Sequence, residues 1–69
     1  MAPESRITVS MNRAADDALG RLTDHSGLSK TEVVNRAVTL YAYVTESQAA
    51  GSDLLLRNPE GEVERVRLI

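Results

Sequence analysis

Few residues of this chain are of a kind that does covalent or metal chemistry. The 69 residues include no cysteine and one histidine, His25. Disulfides and thiolate zinc sites are excluded, and one imidazole without a second ligand type beside it makes no metal site. His25 reads instead as a surface residue near a helix end, where a cation suits the helix dipole. Asp16, Asp17 and Asp24 read as the solvated face of a helix rather than as an acid and base pair. No nucleophile stands in an arrangement with a base, and the chain is too short to build a deep pocket. The expectation is a protein that is not an enzyme and needs no cofactor or metal.

The remaining polar groups of interest sit where backbone elements position them. Arg6-Ile7-Thr8-Val9-Ser10-Met11 alternates polar and apolar residues, which predicts a short strand. Ile7, Val9 and Met11 share one face, and Arg6, Thr8 and Ser10 share the other. Asn12 follows as an N-cap, with Asp16 and Asp17 near the positive end of the first helix. Ala15, Ala18, Leu19 and Leu22 form its apolar stripe, Asp17 and Arg21 are spaced for an ion pair, and Gly27 is placed to end it in a left-handed conformation. Gly20 stands inside this helix at a cost of about 1 kcal/mol relative to alanine.

Ser29-Lys30-Thr31-Glu32 has the form of a capping box, with Ser29 as N-cap and Glu32 three residues on. Behind it Val33, Val34, Ala37, Val38, Tyr41 and Val44 recur at helical spacing, so the second helix is expected to be central and to end near Ser47. Leu40 and Tyr43 are displaced from that stripe.

The tail changes character. Asp53–Arg57 and Glu62–Ile69 read as two strands, joined by Asn58-Pro59-Glu60-Gly61, which has the residues of a type I turn. A three-residue loop after Asn58 puts Leu54, Leu56, Val66 and Leu68 on one face. Arg57, Arg65 and Arg67 then fall on the other face with Leu55 and Val63. An isolated hairpin is marginal in water, so the leucine face is expected to fold back on the body of the protein near Leu40 and Tyr43.

A lone N-terminal strand leaves backbone donors and acceptors without partners. A chain of this size also rarely builds a core worth more than about 3–5 kcal/mol. The same strand from a second copy answers both needs, so an obligate homodimer is expected.

The strand, the Asn12-capped helix, the Gly27-Leu28-Ser29 turn and the helix from Lys30 resemble the ribbon-helix-helix superfamily of MetJ, Arc and CopG over residues 6–47. The resemblance implies a mainly α fold with a short N-terminal strand. Two copies would form an intertwined homodimer through an antiparallel two-stranded ribbon, to which this chain adds a C-terminal β-hairpin. The expected organisation is a flexible arm (1–5), a ribbon-helix-helix domain (6–47) and a hairpin extension (52–69).

By position, the resemblance implies that Arg6, Thr8 and Ser10 contact base edges in the major groove. It implies that Ser29, Lys30 and Thr31 contact a phosphate at the start of the second helix. The expected dimer core is Ile7, Val9, Met11, Val33, Ala37 and Tyr41.

The expected function is therefore a sequence-specific DNA-binding transcriptional repressor or autoregulator, with double-stranded DNA and a second copy of itself as partners. The alternative is an antitoxin-type or other protein-interaction module whose residues 52–69 bind a partner protein. The formal charge of -2 requires any positive potential to be local. Strand readers also often carry more basic and amide residues than one arginine, and the first helix begins Arg13-Ala14-Ala15 rather than with the common proline-acidic start. No apolar run is long enough to span a membrane and no signal peptide is visible, so a cytoplasmic location is expected.

Overall fold

Asn12 sets where the first helix begins. Its backbone is extended (φ -71, ψ 168), and its Oδ1 accepts the Ala15 N–H at 2.8 Å while its carbonyl accepts the Asp16 N–H at 3.0 Å. The side chain thereby satisfies one of the donors that a helix leaves unpaired at its start, and the carbonyl accepts the first regular helical bond. The computed structural model describes residues 5–67 of the chain. In it α1 runs Arg13–Ser26, α2 Lys30–Ala49, β1 Leu54–Arg57 and β2 Val63–Val66.

Helix α1 stops at Gly27, whose φ of 73° is left-handed and whose N–H donates to the Thr23 carbonyl at 3.1 Å. Helix α2 starts on the capping box: Ser29 Oγ accepts the Glu32 N–H at 3.1 Å and donates to Glu32 Oε1 at 3.4 Å. It runs two residues past Ser47, because alanine at 49 continues a helix readily. The stop comes at Gly51, with φ 100°. There the Gly51 N–H donates to the Gln48 carbonyl and the Ser52 N–H to the Ser47 carbonyl, both at 3.0 Å, the two bonds of a Schellman motif.

The fold differs from the one implied by the resemblance: two helices are followed by an antiparallel hairpin, and among the described residues no strand precedes α1. Arg6–Met11 is not a strand, and the order is not that of a ribbon-helix-helix fold. Among the described residues, no backbone hydrogen bond joins residues 5–11 to any other segment. Alternating side chains are compatible with a strand, but a strand exists only through a ladder with a neighbour, and the chain brings none to this segment. Residues 1–4 of the expected arm lie outside the described residues.

The hairpin pairs Leu54 with Val66, Leu55 with Arg65, Leu56 with Glu64 and Arg57 with Val63. Both strands are shorter than the sequence suggests, starting at Leu54 rather than Asp53 and ending at Val66; Leu68 and Ile69 lie outside the described residues. The register places Leu54, Leu56, Glu64 and Val66 on one face and Leu55, Arg57, Val63 and Arg65 on the other. Arg65 Nη2 reaches Asp53 Oδ2 at 3.1 Å.

The chain divides into two compact units whose boundary falls inside α2, after Val33. In the first, Leu19 and Val33 are buried, Ala15 and Ala18 are half-buried and Leu22 is exposed. The expected Asp17–Arg21 pair is replaced by Arg13 with Asp17, at 4.0 Å on an exposed surface. In the second, Val44 is buried beside a cleft of about 170 Å³ bordered by Tyr43, Ser47, Gln48 and Leu54. Only one end of the leucine face is covered: Leu54 and Val66 are half-buried, whereas Leu56 is 54% exposed. No helix among the described residues is long and apolar enough to cross a membrane.

Candidate functional site

Arg6, Thr8 and Ser10 are all exposed. They lie on the segment that leads into Asn12, and their side chains make no hydrogen bond among the described residues. Ile7 is 81% exposed, Val9 63% and Met11 43%. The segment thus presents both its polar and its apolar side chains, and Asn12 anchors only its end, through the cap of α1.

Ser29, Lys30 and Thr31 stand together at the N-terminus of α2, all exposed. Their roles separate. The Ser29 hydroxyl is engaged with Glu32 on both sides, as acceptor from its N–H and donor to its carboxylate. The N–H groups of Lys30 and Thr31 have no partner among the described residues. They point along the helix axis, where an anion is favoured, and Lys30 adds a positive charge. The Glu32 carboxylate at the same helix end opposes that field. Ser29 therefore works chiefly for the fold, which leaves Lys30 and Thr31 as the groups open to a phosphate.

Of the expected dimer-core residues, Val33 is buried within its own chain, while Ile7, Val9, Met11, Ala37 and Tyr41 are exposed. Helix α2 leaves two apolar surfaces open. Ala37, Val38, Tyr41, Ala42 and Thr45 line a shallow concavity on one side. Asn35, Arg36, Thr39, Leu40 and Tyr43 line another on the opposite side. The sequence reading assigned no role to the charges flanking the second surface, Arg36 and Glu46. Their signal was present as two opposite charges ten positions apart on one helical strip.

Among the described residues no group of histidine, aspartate or glutamate side chains is placed to hold a metal ion. No protein-family model matches the chain, and no curated protein or solved structure is significantly similar to it.

Proposed function

We propose that the chain is a homodimeric, sequence-specific DNA-binding protein that acts as a transcriptional repressor or autoregulator. In this reading Arg6, Thr8 and Ser10 contact bases, Lys30 and Thr31 hold a backbone phosphate, and Ser29 keeps their helix end in shape. Arg6 can fork onto guanine O6 and N7, and the two hydroxyls can donate or accept at base edges. The observation that carries the reading is the segment from Arg6 to Met11. It offers three polar side chains with no partner among the described residues beside three exposed apolar ones. A partner for the first set and a second copy for the second set use every residue of it.

The acidic balance of the chain is compatible with this reading on one condition. With Lys30 as the one basic side chain assigned to phosphate, affinity rests more on base contacts than on counterion release, and its salt dependence is shallow. Selection of binding sites from random duplex DNA, alongside the chain's own upstream region, tests this. The expected result is one enriched two-fold-symmetric site. Recovery of no enriched sequence, with binding no tighter than to random DNA, overturns it.

A second reading is favoured by one observation on the hairpin. Leu55 is 55% and Val63 51% exposed, on the same face as Arg57 and Arg65. Aliphatic residues among arginines suit a protein partner, as in the antitoxin-type alternative. Removal of residues 52–69 then abolishes partner binding and leaves DNA binding in place.

A further inference from the structure

Helix α2 is open on two opposed sides, and the proposed dimer, through the expected core residues Ala37 and Tyr41, would cover one of them. The side away from Val38 and Tyr41 carries Leu40, 62% exposed, and Tyr43, 69% exposed, with Thr39 between them in the same concavity. At 3.6 residues per turn, Arg36, Thr39, Tyr43 and Glu46 fall along one strip of the helix. Arg36 and Glu46 flank its apolar middle about 15 Å apart, at 1.5 Å per residue, and Glu32 lies one turn beyond Arg36 on the same strip. Arg36 and Glu46 are both exposed, and among the described residues neither is in an ion pair or a side-chain hydrogen bond.

An apolar middle flanked by a positive charge on one side and a negative charge on the other is complementary to its own copy laid antiparallel, with Glu32 falling opposite position 50, past the end of the other helix. A two-fold axis level with the middle of the strip sets Arg36 of each copy against Glu46 of the other, and Thr39 against Tyr43. Two ion pairs thus flank an apolar centre. A parallel arrangement would oppose like charges, which disfavours it. The antiparallel contact is isologous and closes on itself.

We propose that the Leu40–Tyr43 face of α2 is a self-association surface, closed by the same face of a second copy running antiparallel with reciprocal Arg36–Glu46 pairs. It rests on the proposed dimer only for the subunit count. If the expected core residues Ala37 and Tyr41, whose concavity Val38 shares, join two chains together with Ile7, Val9 and Met11, this face joins two dimers.

The test is sedimentation equilibrium of the full chain across micromolar concentrations. Wild type passes from dimer to tetramer. Arg36→Glu or Glu46→Arg alone weakens that step by about tenfold or more, since each sets like charges together twice. The double variant restores it to within about threefold of wild type. Far-UV helicity, the same in all four proteins, separates loss of association from loss of folding. Single reversals that assemble like wild type overturn the proposal, as does a double variant no better than the weaker single, or a wild type that stays monomeric throughout. Val38→Asp in the same series separates the two readings. If it leaves the dimer intact while the reversals act as expected, the contact through the Val38 side fails and the Leu40–Tyr43 face stands.

Discussion

Asn58 and Glu62 close the hairpin through three hydrogen bonds. The Asn58 N–H donates to the Glu62 carbonyl at 2.8 Å, Asn58 Oδ1 accepts the Glu62 N–H at 2.9 Å, and Asn58 Nδ2 donates to Glu62 Oε1 at 3.0 Å. The Asn58 carbonyl meanwhile accepts the Gly61 N–H at 3.0 Å. The three-residue loop would otherwise leave the Glu62 N–H without its ladder acceptor, and the Asn58 side chain supplies one. Gly61, at φ 89°, takes the left-handed position that such a loop requires.

Asn58→Ala is therefore expected to destabilise the hairpin by about 1 kcal/mol, the net worth of a typical lost hydrogen bond. Gly61→Ala acts in the same direction through backbone strain. Amide exchange of Leu55–Arg57 and Val63–Arg65 reads both. Protection unchanged in Asn58→Ala would remove the side chain from the turn.

The two glycines around α1 respond oppositely to alanine. A Cβ at Gly20 meets nothing within 4 Å, so Gly20→Ala is expected to stabilise the fold by about 1 kcal/mol through helix propensity. Gly27 has equally open space, but its φ of 73° makes Gly27→Ala destabilising. Denaturant midpoints that move in the same direction for both variants would contradict this.

The first turn of α2 divides stability from binding. Ser29→Ala is expected to cost about 1 kcal/mol of folding free energy, because the Glu32 N–H loses its acceptor. Lys30→Ala is expected to leave the melting temperature unchanged, to weaken binding to all duplex sequences about equally and to lower the salt slope by about one unit. An unchanged slope takes Lys30 out of the phosphate contact.

Arg6 has no side-chain partner among the described residues, so Arg6→Ala is expected to leave folding unchanged. On the selected site it costs about 1–3 kcal/mol and flattens preference at one base position in each half. Equal losses on selected and random DNA would make it a phosphate contact instead.

Burial separates two leucines of one hairpin face. Leu54 borders the cleft beside Val44 and is half-buried, whereas Leu56 is 54% exposed. Leu54→Asp is expected to lower the melting temperature clearly and Leu56→Asp to lower it little. Truncation after Gly51 follows Leu54→Asp, since it uncovers Val44. Equal effects of the two substitutions would mean that an assembled form covers the whole face.

Local elements were legible wherever one residue type meets one backbone need. Asn12 and Ser29 start helices because a short polar side chain can reach an unpaired N–H two or three residues on. Gly27 and Gly61 stop or turn the chain because a left-handed φ costs glycine nothing. The hairpin register followed from Asn58-Pro59-Glu60-Gly61, since loop length fixes which residues oppose each other. The ends of α2 and of both strands were less legible, because propensity near a terminus changes gradually.

The candidate site was legible as a set of residues but not as an arrangement. Ser29, Lys30 and Thr31 form one group in the sequence. Only the geometry shows Ser29 committed to Glu32, and the carboxylate of Glu32 sharing the helix end with Lys30.

By itself the sequence determined the caps, the turn, the two helical segments and the absence of thiol or multi-histidine metal chemistry, all consequences of residue type over a few neighbours. The tertiary structure decided what those neighbours cannot. Arg6–Met11 has the alternation of a strand yet is not one, because pairing is a property of two segments and among the described residues no second segment pairs with it. Val33 and Val44 are buried while Val38 and Tyr41 of the same stripe are exposed, because burial depends on what lies opposite a side chain rather than on its hydrophobicity. Leu54 and Leu56, alike in type and face, differ because the covering end of α2 reaches only the first.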